Sequence, residues 1–150
     1  MNLKVPKKKV PLKINFVGGE SIQGNIFLSS QSPLHYGEEL VIDLLNDKDP
    51  FFPFEIEDPF SIRIINKKNI ISVTTSEDLK IEEIIGKKEK VKIILTDGQQ
   101  LIGELIIDQP EYKSRVLDFL NVNEKRFFGL FNKSEVHYLN INHVSQVIPL

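Results

Sequence analysis

A chain of 150 residues with 41% hydrophobic and 27% charged residues has the make-up of a soluble globular protein, long enough for one ordinary domain or two very small ones. Nineteen basic against twenty-one acidic residues leave a formal charge of −2, which excludes a strong electrostatic pull towards nucleic acid or anionic membrane. The absence of cysteine excludes a disulfide framework, a thiolate metal site and a thiol nucleophile, and no apolar run approaches the roughly 18 residues of a membrane helix.

The amino-terminal "MNLKVPKKKVPLK" carries lysines without an apolar run behind them, so it does not read as a signal peptide and a cytoplasmic location is expected. The first strands follow. Alternation places Leu12, Ile14 and Phe16 on one face, and Ile22, Gly24, Ile26 and Leu28 share a face of the next strand. Gly18-Gly19 between them supplies the positive φ angles of a tight hairpin. "VIDLLN" (41–46) has Val41, Leu44 and Leu45 at helical spacing, with Asn46 expected to end the turn in the left-handed conformation. "FFPFE" then reads as a strand with Phe52 and Phe54 on one face and Phe51 and Pro53 on the other. "FSIRIINKKNIISV" closes the segment as two short strands around a polar corner.

The chain then does the same again. "LKINFVGGESIQGNIFL" (12–28) aligns without gaps to "VKIILTDGQQLIGELII" (91–107), "VIDLLN" to "VLDFLN" (116–121), "FFPF" to "FFGL" (127–130), and "INKKNIISV" (65–73) to "LNINHVSQV" (139–147). The offset stays between 74 and 79 residues, as in a duplicated unit. Gly103 repeats Gly24, and both are expected at a sharp bend; Asp118 and Asn121 repeat Asp43 and Asn46 as corner-forming residues. Five short, bent strands in about 65 residues suggest a small barrel. The expected organisation is a first barrel over 8–74, a short linker helix over 75–86, bounded by Ser76 and Gly86, and a second barrel over 87–150.

With its paired glycine hairpins and its closing "INKKNIISV" segment, the chain resembles the Sm-like and SH3-like small β-barrels. The combination of a hairpin with "LDFLN", "RFFGL" and "LNINHVSQV" is similar to a bacterial Sm-like family of unknown function. The resemblance implies a mainly β protein of two tandem five-stranded barrels, and through the RNA-binding Sm proteins it implies RNA as an alternative ligand. Those proteins set an aspartate four positions before a base-contacting asparagine and carry a basic-glycine corner. Here Asp118 and Asn121 are three apart, and neither "NKKN" nor "NINH" holds a glycine. "KKKVPLKINF" followed by "GNIFLSS" is loosely similar to a PilZ-like cyclic-dinucleotide module, whose arginine pair is missing because residues 1–30 contain no arginine.

Candidate chemistry is sparse. Asp43 and Asp118 could pair as catalytic carboxylates, but neither has the Asp-Thr-Gly context that brings two acids together. His137 and His143 lie about 20 Å apart in a straight strand, too far to share a metal, and are expected at a surface or an edge. Charges are balanced, with seven positive and nine negative over 8–74 and nine and eight over 87–150. No enzyme activity, metal or cofactor is expected, and nucleic acid is not the expected partner. The third strands stand out. Phe51, Phe52, Phe54, Phe127, Phe128 and Phe131 put apolar side chains on both faces, although an exposed strand of a lone barrel is polar outside. One face is therefore expected to pack in its own barrel and the other against the second repeat, a protein partner or another copy of the chain.

Overall fold

The computed structural model describes residues 7–30, 37–76, 84–108 and 115–150. Strands β1 (Lys7–Phe16) and β2 (Ser21–Ser29) form the first hairpin, with Leu12 opposite Gly24. Gly18 and Gly19 both take positive φ in its turn, which Phe16 N–H closes onto Glu20 O. Helix α1 (Val41–Asn46) precedes β3 (Phe51–Glu57) and β4 (Phe60–Asn66), and a 3₁₀ turn at Lys67–Asn69 leads into β5 (Ile70–Thr75).

The same succession follows in β6 (Lys87–Leu95), β7 (Gln100–Ile107), α2 (Val116–Val122), β8 (Phe127–Phe131), β9 (Val136–Asn140), a 3₁₀ turn at Ile141–His143 and β10 (Val144–Pro149). Registers correspond position by position. Val91 faces Gly103 as Leu12 faces Gly24, and Phe127 faces Asn140 as Phe51 faces Asn66.

The protein is mainly β, but its strands do not form two separate closed barrels. The ten described strands pair antiparallel in one open sheet, in the order β10-β6-β7-β8-β9-β5-β1-β2-β3-β4. The order β5-β1-β2-β3-β4 of the first half recurs as β10-β6-β7-β8-β9 in the second. Among the described residues no ladder closes either half, because β9 spends its outer edge on β5 of the other half instead of on β10.

Two cores result. One gathers Val10, Leu12, Ile14, Phe52 and Phe54, and into it the second half inserts Phe127, Phe131, Val136 and Tyr138. The other holds Val91, Ile93, Leu105, Phe128 and Leu130, with Ile71 contributed by β5.

One expectation needs correcting. Among the described residues no non-glycine takes positive φ, so neither Asn46 nor Asn121 is a left-handed cap; α1 ends at Asn46 into an extended Asp47, and Asn121 lies within α2. Gly24 and Gly103, expected at a sharp bend, lie where the third strand comes closest to the second. A Cβ on Gly24 would overlap Glu55 O, and one on Gly103 would sit 2.7 Å from Phe131 O, so each glycine lets the third strand cross at contact distance. The linker helix expected over 75–86 falls largely on 77–83, outside the described residues, and Thr75 belongs to β5.

The polar corner also hides a buried cation. Lys67 is fully enclosed and its Nζ donates to Asp47 Oδ1 at 2.7 Å, whereas the second half has Ile141 at the matching place. Removing only the anion strands a buried charge, so Asp47→Ala is expected to cost about 2 kcal/mol. Lys67→Ile, which copies the second half and returns Asp47 to water, is expected to be near neutral. Urea denaturation of both variants checks the contrast.

Candidate interaction surfaces

The junction between the halves is built from four neighbouring contacts. Ser72, Val73, Thr74 and Thr75 of β5 pair with Leu139, Tyr138, His137 and Val136 of β9. Asn46, at the end of α1, reaches β8: its Nδ2 donates to Phe127 O at 3.0 Å and its Oδ1 accepts from Phe127 N–H at 2.9 Å. An amide side chain that satisfies both backbone groups of one residue acts as one more strand partner. The Nδ2 of Asn140 donates to Ile70 O at 2.9 Å, and Thr74 Oγ1 lies 2.8 Å from His137 Nδ1.

His137 is thus an interior residue of the junction and not the surface or edge histidine expected. Burial lowers its pKa, and the Glu135 carboxylate 3.4 Å from Nε2 opposes the shift. Lys13 and Glu135 are the charged groups lining the recess around it. A histidine held below its unfolded value contributes stability that is complete above about pH 6.5 and is lost as pH falls towards the folded value. The urea midpoint is therefore expected to decline below that pH, and a His137→Gln variant to lack this step.

The equivalent surfaces at the two ends of the sheet have no such cover. Phe127, Val136 and Tyr138 are 1%, 5% and 2% exposed at the junction, whereas their counterparts Phe51, Ile62 and Ile64 are 50%, 47% and 66% exposed. Phe60 on β4 is exposed as well, which leaves an apolar strip along an edge strand. Phe52 and Phe54 lie in the first core, and Phe128 lies in the second. Of the six aromatics singled out in the sequence, Phe127 and Phe131 therefore face the other half and Phe51 faces outwards. At the opposite end, β10 is largely exposed where the equivalent β5 is buried, and Leu117 and Val122 of α2 are exposed beside Asn121.

The paired aspartates are held locally. Asp43 Oδ2 accepts from Leu40 N–H at 2.9 Å, and Asp118 receives Arg115 Nε at 2.9 Å, which raises the arginine's pKa.

A cleft of about 770 Å³ includes Lys13, Asn25, Glu57, Thr74 and Glu135 in its lining. Beside it, the hydrogen bond from Lys9 Nζ holds the Glu55 carboxyl below its usual range against the opposing effect of burial, with Asn25 donating as well. Among the described residues no three His, Cys, Asp or Glu side chains gather as a metal site, and no helix is long and apolar enough to cross a membrane. Comparison of the chain with protein-family models, with curated proteins and with solved structures finds no match.

Proposed function

We propose that this chain is a non-enzymatic interaction and assembly module, a tandem of two Sm-like five-stranded units that stay open and join along β5 and β9 in one sheet, whose working surfaces are the two ends of that sheet. The strand order repeated in the two halves supports the tandem reading. One observation carries the function: an apolar surface buried in one half is left open in the other at matching positions, Phe51, Ile62 and Ile64 against Phe127, Val136 and Tyr138. Exposed β-branched residues on an unpaired edge are costly to keep in water and invite strand addition, so their place is an interface. Asp43 and Asp118 are engaged in helix capping and an ion pair, in keeping with a structural role for that pair.

Size-exclusion of the tagged chain in fresh extract tests the reading. The wild type is expected to elute above its monomer mass, and Ile64→Lys to elute smaller while keeping its urea midpoint. Identical elution of both at the monomer position would contradict it.

RNA is not the expected partner. Affinity for a phosphate backbone needs several cations on one surface, and both halves carry matched charges. Stacking on exposed rings such as Phe51 and Phe60 adds about 1–3 kcal/mol per base, and Phe127 is buried. Anisotropy titration with mixed-sequence single-stranded RNA is expected to give binding no tighter than about micromolar at physiological salt. Submicromolar binding lost on charge reversal of Lys125 and Arg126 would make RNA the better reading.

A further inference from the structure

The two open ends are the two halves of one interface, and we infer that copies of this chain join head to tail, β10 and α2 of one against β3 and β4 of the next. This rests on the ends being interaction surfaces and names their occupant. The template is the junction inside the molecule. There the fifth strand of one half pairs with the fourth strand of the other; the remaining fifth strand is β10 and the remaining fourth strand is β4.

Backbone directions fit. Leu150 N–H donates to Lys90 O, so by the alternation of an antiparallel ladder Val147 and Pro149 turn their backbone groups away from β6. Lys67 N–H donates to Pro50 O, so Ile64 and Ile62 turn theirs away from β3. These correspond to Val73, Thr75, Tyr138 and Val136, which pair as Val73 with Tyr138 and Thr75 with Val136. The register transferred to the ends sets Val147 opposite Ile64 and Pro149 opposite Ile62.

Two of the three side-chain devices recur too. Asn121, exposed at the position of Asn46, would clasp the backbone N–H and C=O of Phe51 as Asn46 clasps those of Phe127. Asn66, whose Oδ1 accepts from Lys68 N–H as Asn140 Oδ1 accepts from Asn142 N–H, would donate to Val144 O as Asn140 donates to Ile70 O. Two elements are missing: Ile148 and Arg63 stand where Thr74 and His137 meet, so that side-chain hydrogen bond has no counterpart, and a ladder donor is absent as well. Pro149 lacks the N–H that Thr75 has, so the contact between copies has one ladder donor fewer than the internal junction. Two different surfaces meet in this contact, so it either closes a ring or extends a filament.

Sedimentation of the purified full chain, with two blocked variants and their mixture, decides the matter. Ile64→Lys puts a charge in the β4 end. Val147→Pro removes an outward N–H from the β10 end, and the direction of that N–H means no bond to β6 is lost. Asn121→Ala is the gentler block of the same end, on an exposed side chain. The wild type is expected to exceed the 17.2 kDa monomer mass as concentration rises. Each blocked variant alone is expected to stay monomeric, and an equal mixture of Ile64→Lys with Val147→Pro is expected to give a one-to-one dimer through the intact ends. Asn121→Ala should raise the concentration of half-assembly about tenfold, as loss of two hydrogen bonds requires. Pro149→Thr should lower it by restoring the missing donor. A wild type that is monomeric throughout, or a blocked variant that dimerises alone, would overturn head-to-tail assembly. If the purified chain is monomeric yet Ile64→Lys still elutes smaller in extract, the ends bind another protein and only the self-association is wrong.

Discussion

Gly24→Ala is expected to lower the unfolding free energy by about 3 kcal/mol, at the upper end of what overpacking costs. The new methyl group would lie on Glu55 O and within 2.9 Å of the Phe54 ring. Phe54 is fully buried, and Asn25 with Glu55 makes the single register pair between β2 and β3, so the strand cannot move aside cheaply. Gly103→Val is the matching change in the second half, against Phe131 O and Leu130 Cγ, and is expected to cost about 2 kcal/mol or more. Urea denaturation reads both, and an unchanged midpoint in either would mean that the third strand does not cross there.

The second large effect concerns the halves apart. Residues 87–150 alone are expected to aggregate, dimerise or fail to fold, because Phe127, Phe131, Val136 and Tyr138 belong to the core of the other half. Each such side chain contributes roughly 1.5–3 kcal/mol on burial, so uncovering four of them forfeits about as much as a small domain's whole stability. Loss of Asn46 would also leave Phe127 without its backbone partners. A monomeric fragment with sharp, dispersed amide signals would show that the junction is dispensable.

Much of the framework was readable from letters alone, because it is local. Alternation at Leu12, Ile14 and Val91, Ile93 marks half-buried strands, Gly18-Gly19 and Asp97-Gly98 mark hairpins, and the nearly constant offset between matching segments orders the elements. The aromatics on both faces of the third strands raised the question of a second covering surface. The answer was out of reach, since pairing of β5 with β9 joins residues more than 60 positions apart and leaves no periodic signal.

The asymmetry was equally hidden. Phe51 and Phe127 look alike in sequence, and only the direction in which the halves join decides that Phe127 is covered and Phe51 is not. Asn46 reads as a helix terminator because its partner, Phe127, lies 81 residues away. Lys67 reads as part of a solvated corner because nothing near it in the sequence tells that Asp47 will meet it inside.

Amide hydrogen exchange at Ile62, Ile64 and Val147, followed as protein concentration is raised, is the most direct measurement of assembly through the ends. These amides point away from their only ladder partners, so they should exchange fast in dilute solution. On concentration they should slow towards the protection of Val73, Val136 and Tyr138, which pair within the molecule at every concentration. Fast exchange at these three positions at all concentrations, alongside a protected β5–β9 junction, would contradict it.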